Sequence, residues 1–166
     1  MRKVLIGIAL FAMLLIPVGA GAALGSTDSD PLRQLAQVRQ ATAKYHDVGQ
    51  ALADGYIPVS GCEALPDVGA MGIHYLNPGL ASDLTVDPLA PEVLLYAPSG
   101  DGLRLVGVEY FMASVGQPTP SVLGQTFDGP MAGHSPGMPE HYDLHAWVWQ
   151  ANPAGMFSAW NPSLSC

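Results

Sequence analysis

Positive charge is what this sequence has least of. Its 166 residues include six Lys and Arg against 14 Asp and Glu, for a formal net charge of −8 at pH 7. Nucleic-acid surfaces work by neutralising phosphates with clustered basic side chains, so that class of function is excluded. Attraction to anionic membrane surfaces is disfavoured on the same ground. Charge of either sign is sparse at 12% of residues, which is about half the usual share. Cysteine is almost absent as well. Cys62 and Cys166 are the two present, and neither belongs to a Cys-x-x-Cys pair of the kind that holds structural zinc. No phosphate-cradling GxxxxGK[ST] loop occurs, no Gly-rich turn opens a helix, and no Gly-x-Ser-x-Gly elbow is found. The acids are scattered rather than set in the facing pairs that glycoside hydrolysis uses.

What is present begins with an address. Arg2 and Lys3 precede an apolar stretch, residues 4–18, interrupted by Gly7 and Pro17, and Ala20-Gly21-Ala22 supplies a small-x-small cleavage site. This reads as a signal peptide, residues 1–22, cut after Ala22, and it predicts a periplasmic or secreted protein. The run is short for a membrane span and no stop-transfer pattern follows, so no membrane attachment is expected after cleavage. Loss of Arg2 and Lys3 moves the net charge from −8 to −10. In an oxidising compartment two cysteines favour one disulfide, Cys62 to Cys166.

Residues 23–30 read as a linker and 31–166 as one α+β domain. Asp30 is suited to cap a helix and Pro31 to occupy its first position. Leu32, Leu35, Val38, Thr42, Tyr45 and Leu52 then recur at helical spacing, predicting one helix over 31–54 that ends at Gly55. Beyond it the pattern turns to short strands among 19 Gly and 15 Pro. About five antiparallel strands are expected, over 72–76, 92–97, 103–113, 121–127 and 143–150, with the helix covering one face. Residues 98–102 (PSGDG) form the clearest hairpin turn, 128–140 a long loop, and 152–166 a turn-rich tail.

The densest chemistry lies in His141-Tyr142-Asp143-Leu144-His145-Ala146-Trp147-Val148-Trp149. On a strand, His141, Asp143, His145, Trp147 and Trp149 share one face. Glu109 interrupts an apolar strand, where a carboxylate is costly unless it is paired, hydrogen-bonded or metal-bound. His74 interrupts another. If these strands are neighbours, His74, Glu109 and His145 converge, with His141 or Asp143 assisting. Such a set suits a divalent transition metal (Zn, Cu, Fe or Mn) and leaves open positions for water or a small ligand. Plainer roles exist for each residue. His74 could be a core histidine bonded to a carbonyl, and Glu109 could pair with Arg104 or a histidine. Asp143 could cap a turn and His141 could be solvated. Met131, His134, Met138 and His141 would make a softer, copper-type set. Trp147, Trp149, Phe157 and Trp160 are candidates for the wall of a ligand pocket.

Four stretches carry a resemblance: GAMGIHY at 69–75, LVGVEY at 105–110, LHAWVW at 144–149 and NPAGMFSAWNP at 152–162. Together they resemble a group of small exported bacterial proteins of uncharacterised function. The resemblance implies export, and His74, Glu109 and His145 fall inside it. Three readings follow from the sequence. The first is an exported domain binding a metal or small ligand through the His/Glu/His set. The second is a non-enzymatic structural or protein-binding module, and the third a metal-dependent hydrolase or oxygenase.

Overall fold

The computed structural model describes residues 30–166, so the expected signal peptide and all of the expected linker except Asp30 lie outside the described residues. It is a mixed α+β structure. The expected helix starts where its cap predicts, with the Leu32 N–H donating to Asp30 Oδ1 at 3.1 Å. It does not run to 54 unbroken. Helix α1 (Pro31–Thr42) passes into a 3-10 turn (Ala43–His46), and α2 (Val48–Ala53) begins afresh. The break has a local cause. Asp47 is extended (φ −88°, ψ 108°) and caps α2 by accepting from the Gly49 N–H at 2.8 Å. An Asp whose side chain accepts the N–H two residues on competes with helix continuation through such a cap. A third short helix, α3 (Pro78–Ala81), is capped by Asn77.

The main sheet has six antiparallel strands rather than five, in the order β1-β2-β3-β4-β8-β7. They are β1 (Ile57–Leu65), β2 (Gly69–Leu76), β3 (Val93–Ser99), β4 (Gly102–Ala113), β7 (Asp128–Met131) and β8 (His141–Ala146). The hairpin joining β3 and β4 turns at Gly100-Asp101 with Gly100 at φ +56°. Three differences from expectation have physical reasons. Strand β1 is hidden in the sequence because Pro58 and Gly61 interrupt its β-rich pattern, and the ladder with β2 is irregular between Pro58 and Cys62. The expected strand at 121–127 is a small separate hairpin, β5 (Ser121–Val122) with β6 (Gln125–Thr126). The start of the expected 128–140 loop pairs with β8 as the edge strand β7.

Packing divides the sheet's two faces by task. On one side Leu35, Val38, Tyr45 and Ala51 pack against Leu94, Tyr96, Val108 and Tyr110. Buried phenols are satisfied by carbonyls: Tyr96 Oη donates to Tyr45 O at 2.6 Å and Tyr56 Oη to Pro91 O at 2.7 Å. On the other side Val93, Leu95, Val106, Phe111 and Trp147 form a second apolar cluster. The tail reaches this cluster through Leu164 and is tied back by the expected Cys62–Cys166 disulfide, 104 residues apart in sequence. That bond fits an oxidising, extracytoplasmic compartment. Among the described residues no helix is long and apolar enough to cross a membrane.

One buried acid belongs to the fold. Glu92 is 2% exposed, and its carboxylate accepts the Phe111 N–H at 3.1 Å, bracing the start of β3 against β4. Burial pushes its pKa from 4.5 up to about 7, against the opposing effect of that hydrogen bond. A carboxyl whose folded pKa is raised opposes folding as pH climbs past its unfolded value, and the penalty is complete above the folded one. Glu92→Gln keeps an acceptor for Phe111 and should therefore stabilise the protein at pH 8 by up to about 3 kcal/mol, shrinking to under about 1 at pH 5. Urea unfolding at the two pH values measures this, and an equal effect at both would contradict it. Replacing both Cys62 and Cys166 by Ser should lower the unfolding free energy by about 2–4 kcal/mol, given the long loop they close.

Candidate metal centre

The sheet order explains how three distant residues meet. Glu109 on β4 lies directly opposite His145 on β8, and Val93 on β3 lies opposite Glu109 on its other side. His74 on β2 pairs with Leu95 on β3. Directly opposed residues in a ladder share a face, so all three project to the side away from α1. His74 reaches across β3 to bring its Nε2 to 3.3 Å from Glu109 Oε2, and His145 Nε2 stands 3.7 Å from the same oxygen. The three donor atoms lie within 4.8 Å of one another. Glu109 is 4% exposed and His145 2%, while the His74 side chain is 13% exposed.

These atoms lack the partners that buried polar groups normally have. Among the described residues, Glu109 Oε2 and His145 Nε2 are buried and make no hydrogen bond. Each such orphan costs about 1–3 kcal/mol. Arg104, the alternative partner for Glu109, donates to Gln150 Oε1 at 2.7 Å instead. His74 is held from behind. Ser60, in the irregular part of β1, accepts the His74 N–H at 3.0 Å, and its hydroxyl lies 3.0 Å from His74 Nδ1. Ser60 Oγ also donates to Gly61 O at 2.8 Å. With its single proton so placed, Ser60 receives the Nδ1–H of His74, which leaves Nε2 as the nitrogen turned toward Glu109. Metal-ligating histidines are commonly oriented in this way through their second nitrogen.

The electrostatics are those of a tightly coupled cluster. Burial alone raises the Glu109 pKa, but His145 and then His74 outweigh it and hold the carboxyl below its ordinary range. Burial lowers His74, and the adjoining Glu109 carboxylate reverses this to a net rise.

His141 and Asp143 are in the cluster's neighbourhood but group with a different residue. His141, buried rather than solvated, directs Nε2 to 3.6 Å from Asp143 Oδ2, and together with His134 they form a second set of donors within 4.8 Å. The first set, and His134 and Asp143 of the second, border one cavity of about 390 Å³. Its floor includes Val93 and Phe111. β1 contributes Val59 and Ser60, and the 134–139 segment closes it from the other side. Met138 lines this cavity, whereas Met131 lies on β7 opposite His141 and does not.

The tryptophans are elsewhere. β8 ends at Ala146, so the alternation expected through 149 stops there. Trp147 is 1% exposed and donates its indole N–H to Ser158 O at 2.6 Å. Trp149 turns to the helix side, donating to Thr42 Oγ1 at 3.1 Å and meeting His46 edge-on at 4.3 Å. Neither lines the cavity, and nor do Phe157 and Trp160. Sequence reasoning missed Ser60 because β1 itself was not legible.

No protein-family model, curated protein or solved structure matches this chain.

Close strand approach keeps the centre together. A Cβ on Gly107 would lie 2.9 Å from Ala146 O and 3.4 Å from Trp147 Cα, backbone atoms at the end of the strand that carries His145 and just beyond it. Gly107→Ala should therefore push β4 and β8 apart and destabilise the protein by about 1–3 kcal/mol. A chemical-denaturation midpoint indistinguishable from wild type would contradict that packing.

Proposed function

We propose that this protein is an exported metal-binding domain whose His74/Glu109/His145 centre holds a divalent transition metal beside a ligand pocket. The observation that carries this reading is the convergence of three donor atoms on one point, two of them buried and without a hydrogen bond. Two donors each about 2.1 Å from a tetrahedral ion stand roughly 3.4 Å apart. Glu109 Oε2 is 3.3 and 3.7 Å from the two imidazole nitrogens, so a cation fits between them with little movement. Two histidines and one carboxylate suit zinc, and they are equally the donor set of non-haem iron sites. The choice among Zn, Cu, Fe and Mn belongs to experiment.

Three protein donors leave coordination positions open, and here they border a cavity large enough for a small molecule. That adjacency favours a second reading, a metal-dependent hydrolase or oxygenase. A bound ion would there supply Lewis-acid or redox chemistry, while the Val93 and Phe111 floor shields the centre from water. Export rests on the signal-like residues 1–22, the resemblance to exported bacterial proteins, and the disulfide.

Metal analysis of protein purified without added metal, and again after reconstitution, tests the proposal. About one equivalent or more of a transition metal is expected, lost from the centre in His145→Ala and bound about 10-fold or more weakly in Ser60→Ala. Less than about a tenth of an equivalent even after reconstitution would overturn it.

A further inference from the structure

His141 raises a question that the three-residue centre does not answer. It is 0% exposed, and its ring is held by a stacked neighbour, an edge-type ring contact and a hydrogen bond. Phe111 stacks on it at 5.0 Å and 24°, His134 meets it at 5.3 Å and 68°, and its Nδ1 lies 3.1 Å from Pro139 O. A carbonyl can only accept, so Nδ1 carries a proton, and Nε2 is the ring nitrogen turned toward Asp143. That nitrogen is buried and without a hydrogen bond, and Asp143 Oδ2 stands 3.6 Å away. A buried carboxylate beside a buried, unpaired imidazole nitrogen calls for a positive charge between them.

The third donor comes from a different part of the chain. His134 is exposed and sits on the segment that borders the cavity, yet its ring nitrogen lies within 4.8 Å of the His141 and Asp143 donors. Buried donors on a strand supply rigidity, and an exposed histidine on a loop supplies an entry path from solvent. We infer that His134, His141 and Asp143 form a second site for a divalent cation of the zinc–copper class, one that fastens the 134–139 segment to β8 over the mouth of the pocket. Two imidazoles and one carboxylate match the preferences of these ions. Occupancy then bears on access to the cavity, because a His134 ligand adds a tie to the segment carrying Ser135, Pro136 and Met138 beyond the Pro139–His141 contact and the packing of Met138.

This site does not depend on the first, and the two are separable by counting. Metal-stripped protein is titrated with Zn²⁺ alone, bound metal is measured after gel filtration, and amide hydrogen exchange is followed over 132–140. Wild type should retain two equivalents. His134→Ala, a change at an exposed position that leaves the core untouched, should retain one, as should the double variant His74→Ala/His145→Ala. Zn²⁺ should slow exchange across 132–140 in wild type and in that double variant, and not in His134→Ala. Cu²⁺ in place of Zn²⁺ should give the same pattern. Loss of one equivalent and of the protection in His134→Ala supports the second site even if the double variant shows the first to be empty. A wild-type stoichiometry that His134→Ala leaves unchanged, or protection that survives in His134→Ala, overturns it.

Discussion

A single carboxylate sets the terms for the site face of this structure. Glu109 lies in the middle of the longest strand, 4% exposed, with an imidazole on either side of one oxygen. A charge in that position is expensive unless something compensates it. The surrounding architecture supplies the compensation. The β4–β8 register puts His145 opposite, β2 brings His74 across β3, and the irregular β1 lowers Ser60 onto His74 from behind. Gly107 lets the strands close to that distance, since any side chain there would meet the β8 backbone.

The other face of the sheet bears most of the conventional stabilisation. The helices and their aromatic layer bury Val38, Ala51, Tyr96, Val108 and Tyr110 almost completely, with phenolic hydroxyls bonded to carbonyls. A well-satisfied core on one side can support poorly satisfied polar groups on the other. Unpaired buried polar atoms, which most folds avoid, cluster here on the side where the cavity lies: Glu109 Oε2, His145 Nε2 and His141 Nε2 among the described residues. Local violations of satisfaction on a well-packed scaffold are the expected mark of a functional site.

Much of this was legible before any coordinates. Glu109 and His74 stood out as polar interruptions in apolar strands, and strand parity alone put His141, Asp143 and His145 on one side. The β3–β4 hairpin and the α1 cap were written in turn and capping chemistry. The failures have equally local origins. Asp47-Val48-Gly49 re-caps a helix that periodicity would have continued. Pro58 and Gly61 hide β1, and with it Ser60. Alternation carried past Ala146 misplaced Trp149, because the chain leaves the ladder where Trp147 N–H pairs with Met156 O at 3.0 Å. The division of the histidines into two sets depends on side-chain reach across strands and on the path of the 134–139 segment, which no single-sequence period encodes.

Seen together, the two donor sets, the cavity they adjoin and the 134–139 segment mark the site face of a small disulfide-tied domain, apart from its diffuse negative charge. The most direct measurement is a crystal structure of Zn²⁺-loaded protein with anomalous diffraction recorded at the zinc edge. The account predicts a peak within about 2.0–2.2 Å of His74 Nε2, Glu109 Oε2 and His145 Nε2 at once. Crystals soaked to saturation that show no peak there, with the three side chains in their present positions, would contradict it.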